Sequence, residues 1–241
     1  MRVLLGRDSR RVLLAATRPA HYRAALNTVR VYRRPVEGMS RYLGESGAYP
    51  WSPQLRTPTG VIAPTLHGPQ DVRTVNEIFC RLDYGRGGQR VVVDLGANIG
   101  LSALFFLTRR PDCVVHAVEP APVNQTRLRA NLAPYADRVH LDHRAAAPHG
   151  GHADFLVEST GRLGGLAAYT GARVGSTITV ETVAVADLLA GVLEREGRID
   201  LVKIDTEGSE RVLVDAIPAE QRARIGAIVW ENNDGTVRWA H

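Results

Sequence analysis

The chain has 241 residues, a formal net charge of +5 at pH 7 and an apolar content of 44%. No run approaches the roughly 18 apolar residues of a membrane span, and the arginine-rich start lacks the apolar run of a secretory signal. Cys80 and Cys113 lie far apart without metal-ligand spacing, so we expect two buried thiols and a cytoplasmic location.

The positive charge is concentrated at the start of the chain. Residues 1–50 hold ten arginines against three carboxylates, a balance of +7, so the remainder carries −2. Such an arm suits nucleic acid, a phosphate-bearing substrate or an acidic partner. It lacks the interleaved aromatic residues that stack on bases. We therefore favour a solvated helix face and expect no nucleic-acid partner.

In chain order, residues 1–54 form a basic and mainly helical arm, in which Pro19 and Pro35 are predicted to break helices. The next stretch, "LRTPTGVIAPTL", predicts a β-hairpin, and "DVRTVNEIFCRLDY" has its apolar residues at helical spacing. The glycine-rich stretch "GRGGQR" then interrupts the chain. We assign residues 55–241 to a single domain after the arm.

A regular alternation of strands and helices follows the glycine-rich stretch. The predicted parallel strands are "RVVVDLG", "CVVHAVEP", "RVHLDHRAA", "IDLVKID" and "IGAIVWEN", with helices between them and Asn124 as a candidate N-cap. Residues 153–185 interrupt the alternation with antiparallel strands around "STGRLGG". Short connections of this kind predict an α/β fold with a doubly wound, mostly parallel, Rossmann-like sheet.

Polar side chains gather where the predicted parallel strands end, which is where ligands bind in such sheets. These residues are Asp94, Asn98, Glu119, Asp142, Asp205, Glu207, Glu231 and Asn232. Because most of them are acidic, the site disfavours a phosphate. It favours a ligand with a positive charge or with several hydroxyl groups.

The turn "GANIG" after the first parallel strand narrows the choice of cofactor. Gly96 and Gly100 allow the backbone to approach a ligand closely, and Glu119, 19 residues after Gly100, is placed to accept ribose hydroxyls. Asp94 repels the pyrophosphate of a dinucleotide. It suits the ammonium and sulfonium groups of S-adenosylmethionine, which is the predicted cofactor. An NAD-linked Rossmann enzyme is the alternative.

Three blocks, "VVVDLGANIGLSALFF", "AVEPAPVNQTRLRANL" and "IDLVKIDTEGSE", resemble the signature blocks of FkbM-type methyltransferases. The resemblance runs from about residue 55 to residue 231. It implies a class I enzyme that moves a methyl group from S-adenosylmethionine to a hydroxyl oxygen of a small metabolite, polyketide or sugar. By the same resemblance, the cofactor-binding residues are Asp94, Gly96, Asn98, Gly100 and Glu119, and the catalytic residues are Asp205 and Glu207.

Lys203, within the third block, is the single lysine beside 29 arginines. Two interpretations stay open: it pairs a neighbouring carboxylate, or it acts at the site. No metal is predicted. The alternative is an oxygen-ligand site made by Asp205 with Glu231, Asn232 and Asn233, although such residues are common in turns after strands.

Two features depart from the family's pattern. Ser209 stands where members often have a histidine, and "NDGTVRWAH" after the last parallel strand is too short for a helix and two strands. We therefore predict that a C-terminal strand pair is missing and that the fifth parallel strand is an exposed edge. A second subunit or the N-terminal arm would cover that edge. The alternative is a truncated or catalytically decayed homologue that acts as a binding module.

Overall fold

The structure is a computed structural model that describes residues 3–4, 7–8, 19–45, 47–158, 164–170, 175–231 and 236–240. The chain divides into two compact units, Met1–Arg86 and Gly87–His241. This boundary falls at the glycine-rich stretch rather than after residue 54, so the hairpin and the helix that follows it belong with the arm. Among the described residues, no helix is both long enough and apolar enough to cross a membrane.

The first unit is built from helices and short hairpins. Its elements are β1 (Val3–Leu4), β2 (Arg7–Asp8), α1 (Pro19–Val31), α2 (Pro35–Gly44), β3 (Leu55–Thr57), β4 (Gly60–Ile62), and α3 (Pro69–Val75), which continues as a π-helix over Asn76–Arg81. The predicted hairpin is confirmed as the antiparallel pair β3–β4. Pro19 and Pro35 begin helices, because proline has its φ preset for the first helical turn.

The second unit carries the remaining strands and helices. They are β5 (Val91–Leu95), α4 (Leu101–Leu107), β6 (Val114–Val118), α5 (Pro122–Leu132) with a 3₁₀ turn over Ala133–Arg138, β7 (Val139–Asp142), β8 (Ala145–Ala147), β9 (Gly151–Val157), β10 (Gly164–Leu166), β11 (Ser176–Ala184), α6 (Val185–Glu196), β12 (Ile199–Ile204), α7 (Glu210–Ala216), α8 (Ala219–Arg222), β13 (Ile225–Glu231) and β14 (Val237–Ala240).

Within the described residues, six of these strands form the main sheet in the order β14-β13-β12-β5-β6-β7. The five predicted strands are parallel to one another, which confirms the doubly wound fold. All five residues of β5 are buried, as expected for a central strand covered on both faces. The order reverses between β5 and β12, and this places a crevice at their carboxyl ends.

The main core lies between the sheet and α6 and α7. It joins apolar residues of β5, β12 and β13 to apolar residues of both helices, including Leu189, Leu193 and Leu213. Cys113 is also buried, which confirms one of the two predicted buried thiols, and Cys80 is buried in the first unit. The rigid strand ends that carry the site are fixed by this core.

The prediction of an exposed fifth strand is wrong. The tail forms β14, which pairs antiparallel with β13 from Ile228↔Ala240 to Glu231↔Val237. The expectation of a missing strand pair is therefore corrected to one antiparallel strand.

A second, smaller sheet follows β7 in the chain, with the order β10-β9-β11-β8. The predicted antiparallel strands within 153–185 are confirmed as β9 and β11, and β11 also pairs in parallel with β8. Part of the predicted glycine-rich loop, residues 159–163, lies outside the described residues. Phe155 and Leu166 of this sheet are buried and face the carboxyl ends of the main sheet across a cleft.

Candidate active site

A cleft opens at the carboxyl ends of β5, β6 and β12, where the strand order of the main sheet reverses. Its lining includes Gly96 and the polar residues Asn98, Glu119, Asn124, Asp205, Thr206, Glu207 and Ser209. The apolar wall opposite them comes from the smaller sheet. The space between the walls is about 570 Å³ when it is counted out to open solvent. The structure thus brings most of the predicted site residues to one place.

Asp94 occupies a different position from the one the sequence predicted. Its side chain is fully buried beneath the turn, with no exposed surface. Lys203 Nζ lies 3.0 Å from Asp94 Oδ1, and Ser102 Oγ donates a hydrogen bond of 2.5 Å to Asp94 Oδ2. The expectation that this carboxylate faces a cationic ligand is therefore corrected, because its charge is balanced inside the protein.

Lys203 contacts three polar groups at the ends of the strands. Besides Asp94, its Nζ donates to the carbonyl oxygen of Gly96 at 2.8 Å and lies 3.6 Å from Asp205 Oδ2. Burial alone would lower the pKa of Lys203, but Asp94 and Asp205 outweigh that effect and raise it. Lys203 is therefore charged, and of its two open interpretations the pairing one is confirmed. An ammonium suits this buried position because it directs three donors from one compact group.

The turn after β5 requires glycine at Gly96. Its φ is +78°, and a Cβ atom there would lie 1.9 Å from the carbonyl oxygen of Asp205. The N–H groups of Gly96 and Ala97 both donate to the carbonyl oxygen of Val118 at 3.0 Å. The turn is thus held between the ends of β6 and β12, with Asn98 and Gly100 also at positive φ.

Glu119 is the buried carboxylate that lines the cleft, with 6% of its surface exposed. Its Oε2 accepts the N–H of Asn98 and its Oε1 accepts the N–H of Ala121, both at 2.9 Å. Burial raises the pKa of Glu119, and these N–H donors oppose the shift. A carboxylate has about four lone-pair sites, so these two backbone donors and the side-chain amide of Asn124 leave capacity for about one hydroxyl group of a ligand.

Asn124 is a cleft residue that sequence reasoning placed elsewhere, as a helix N-cap. The structure puts Ala121 at that position, and Asn124 is buried within α5. Its Nδ2 lies 3.4 Å from Glu119 Oε1, whereas its Oδ1 has no hydrogen-bond partner among the described residues. A buried acceptor without a donor is costly, so this oxygen is a place for a donor from a ligand.

The two predicted catalytic carboxylates both line the cleft. Asp205 follows β12 and its side chain is 35% exposed. Glu207 is half-buried and holds φ at +60°, a conformation that costs free energy for a residue other than glycine. Such strained residues are concentrated at functional sites. The structure therefore keeps both as candidates.

The neighbours of these carboxylates have structural tasks. Glu210 is buried and accepts the N–H groups of Thr206 at 2.8 Å and Gly208 at 3.0 Å, which fixes the loop. Ser209, at the position where a histidine is common in the family, lies with its Oγ 2.8 Å from Thr206 Oγ1. Both side chains therefore make contacts within the loop.

Other residues of the predicted acidic set lie away from the cleft. Asp142 is bound by Arg144, which donates to both of its carboxylate oxygens. Glu231 ends β13 and is not among the residues that line the cleft. Asn232 and Asn233 lie outside the described residues. The alternative metal site built on Asp205 and Glu231 therefore gains no support from the residues described.

The cleft fits a ligand with vicinal hydroxyls at one end and a positive charge at the other. Glu119 and Asn124 offer acceptors for hydroxyl groups, and the turn at Gly96 allows close approach of the ligand to the backbone. Asp205 and Glu207 place two further carboxylates in the lining of the cleft. Each of these features belongs to this chain, and together they match the chemical groups of S-adenosylmethionine.

Comparison with known proteins agrees with this geometry. Residues 94–233, more than half of the chain, match the FkbM methyltransferase domain. The 31-O-demethyl-FK506 methyltransferase FkbM of Streptomyces tacrolimicus is 31% identical over 218 residues, which cover 75% of this chain and 81% of that protein. A segment of the antimetabolite synthetase AmbE of Pseudomonas aeruginosa is 43% identical over 70 residues, 27% of this chain and 3% of that protein.

Solved structures show a looser likeness. An O-methyltransferase from Bacillus cereus in complex with SAH is 15% identical, with a TM-score of 0.36. The match covers 60% of this chain and 50% of that one, so the chain spans about half the length of the solved structures it matches.

Proposed function

The chain belongs to the FkbM methyltransferase family, and from that premise we propose that it moves a methyl group from S-adenosylmethionine to a hydroxyl oxygen of a small metabolite, polyketide or sugar. The name of the Streptomyces tacrolimicus relative refers to an O-demethylated acceptor, which supports oxygen as the receiving atom. The proposal extends that chemistry to this chain.

The observation that carries the proposal is the environment of Glu119. It is a buried carboxylate at the mouth of the strand crevice, held by the N–H groups of Asn98 and Ala121 with acceptor capacity to spare. Asn124 adds a buried acceptor beside it. A ribose with two neighbouring hydroxyls supplies the donors that this pair lacks.

When bound, S-adenosylmethionine supplies a methyl group on a positively charged sulfur. The chain's own contribution is orientation, for which effective molarities of roughly 10⁵ M or more are attainable. A hydroxyl acceptor must also lose its proton to a base within hydrogen-bond reach. Asp205 and Glu207 are the carboxylates of the cleft that can take it. Glu207 is the better candidate because Asp205 lies beside the ammonium of Lys203.

The test is methyl transfer from isotopically labelled S-adenosylmethionine to a panel of hydroxylated metabolites, read by mass spectrometry. We expect a labelled O-methyl product with the wild type and a loss of about 10²–10⁴-fold in its rate with Glu207→Gln. The matched control is Glu181→Gln, an exposed carboxylate on β11. An N-methyl product, or equal rates for the two variants, would contradict the proposal.

Two further outcomes separate the alternatives. Binding of S-adenosylhomocysteine without transfer to any acceptor of the panel would favour a binding module that has lost turnover. Binding of NAD in place of S-adenosylhomocysteine would overturn the choice of cofactor.

A further inference from the structure

We infer that the second unit holds a transition-metal site, of the kind that takes Zn²⁺ or Co²⁺, formed by His116, His140 and Glu196 on a sheet face separate from the catalytic cleft. Each of these residues offers one ligand atom, and the three atoms lie within 4.8 Å of one another. The inference concerns a site that the proposed methyl transfer does not use. A negative result for methyl transfer would therefore leave the proposed metal site unaffected.

The sheet register brings the two histidines together. His116 of β6 and His140 of β7 are direct partners across parallel strands, so their side chains project from the same face. Their rings stack with centroids 4.6 Å apart. Two histidines on neighbouring strands form a rigid pair of nitrogen ligands, because the backbone of both is fixed by the sheet.

The third ligand comes from the helix that covers this face. Glu196 is the last residue of α6, and its Oε1 lies 3.4 Å from His116 Nε2. Two ligands of a tetrahedral ion with bonds of about 2.0–2.1 Å lie roughly 3.4 Å apart, so this pair already has a suitable separation. His140 offers the remaining ligand atom, within 4.8 Å of the other two.

The chemistry of the three groups suits a metal of this class. Two imidazoles and one carboxylate are a ligand set that proteins use for zinc with an open fourth position. His116 is 8% exposed, and its Nε2 lies beside the carboxylate of Glu196.

A groove of about 1000 Å³, counted out to open solvent as for the cleft, runs beside the two histidines between α6 and the strands β6 and β7. It gives an ion access from solvent and leaves room for a water molecule as the fourth ligand. The cleft lies beyond the ends of the same strands, since His116 precedes Glu119 by three residues. A bound ion would therefore pin α6 to the two strands whose ends carry Glu119 and Asp142.

Two arginines lie beside the proposed ligands, and their positive charge disfavours a cation at this site. Arg195 Nη1 lies 3.1 Å from His140 Nδ1, and because an arginine can only donate, this contact places the proton of His140 on Nε2. A metal ion on His140 must therefore displace Arg195. Arg90 lies 4.0 Å from Glu196 Oε2 and is half exposed. Removal of Arg195 should strengthen metal binding.

The experiment titrates the full chain, free of any polyhistidine tag and treated with a chelator, with ZnSO₄ by calorimetry and with CoCl₂ by absorbance. We expect one ion per chain and the intense ligand-field absorption of four-coordinate Co²⁺. We also expect a rise in Tm of about 5–10 °C when free Zn²⁺ exceeds its Kd a hundredfold. His140→Gln and Glu196→Gln should each weaken binding by roughly a hundredfold or more.

Matched variants decide the outcome. His152→Gln removes an exposed histidine of β9 and should bind Zn²⁺ as the wild type does, whereas Arg195→Ala should bind it more tightly. Because His116 is buried, His116→Gln is compared with the wild type only if its circular dichroism is unchanged. His140→Gln and Glu196→Gln keep the test decisive without it. Absence of Zn²⁺ binding by the wild type, or equal affinity in those two variants, would overturn the inference.

Discussion

Two carboxylates stand at the ends of neighbouring strands and have opposite surroundings. Asp94, in β5, is fully buried and faces the ammonium of Lys203, whereas Glu119, just after β6, faces backbone N–H groups and lines the cleft. A buried charge that meets an opposite charge is a structural element of the fold. A buried charge held by dipoles at a cleft is still able to bind a ligand. From this difference we propose a stabilising role for Asp94 and a cofactor-binding role for Glu119.

Among the variants that test this contrast between Asp94 and Glu119, Lys203→Met should have the largest effect on stability. Removal of one partner leaves Asp94 as an uncompensated buried charge, so we expect a loss of about 3–5 kcal/mol in the free energy of unfolding. Urea denaturation measures it. The double variant Asp94→Asn with Lys203→Met should recover part of the loss. A single-variant loss below about 1 kcal/mol would show that the pair is not structural.

Glu119→Gln tests the other half of the comparison. Hydrogen bonds to a charged group are worth about 1.5–3 kcal/mol, so the variant should bind S-adenosylhomocysteine roughly 10–100-fold more weakly. Its free energy of unfolding should change by less than that of Lys203→Met. The matched control is Glu181→Gln on the exposed side of β11, for which wild-type affinity is expected. Calorimetric titration gives both affinities.

Ser102→Ala tests the stabilising role of Asp94 and should have a smaller effect on the free energy of unfolding than Lys203→Met. The variant removes the hydrogen bond to Asp94 Oδ2 and leaves the ion pair with Lys203 in place. We expect a loss of about 1.5–3 kcal/mol in the free energy of unfolding, with the affinity for S-adenosylhomocysteine unchanged. If affinity fell while stability did not, Asp94 would belong with the cofactor after all.

The smallest expected effect is a change in how the stability of the protein depends on pH. Because the pKa of Glu119 is raised above its ordinary value of 4.5, the folded state holds that proton more tightly than the unfolded state does. The corresponding stability is present below pH 4.5 and is lost as the pH rises through the raised pKa. Glu119→Gln should remove this slope from the ligand-free protein in denaturation series at several pH values. An unchanged slope would contradict the assignment.

The sheet could be predicted because its signals are local. Continuous apolar runs and helical spacing identified the five parallel strands, and the acidic residues at their ends located the site. The glycine-rich stretch at residues 85–88 was a usable sign of the boundary between the two units. The last strand was missed since four residues of ordinary composition, Val237–Ala240, carry no strong periodic signal.

The partners of the site residues could not be predicted in the same way. Lys203 lies 109 positions from Asp94, and the chain's single lysine was the one hint of their pairing. Asn124 lies within α5, where no local pattern marks a ligand. His116, His140 and Glu196 come from three elements whose contact depends on strand register and helix packing. Such contacts are set by tertiary structure, which the sequence pattern specifies only indirectly.

The most direct test of the central claim is one calorimetric series with S-adenosylhomocysteine on the wild type, Glu119→Gln and Ser102→Ala, with NAD as the competing ligand. The account predicts binding by the wild type and Ser102→Ala, binding at least roughly tenfold weaker by Glu119→Gln, and none of NAD. Equal affinity in the wild type and Glu119→Gln, with both folded, would contradict it.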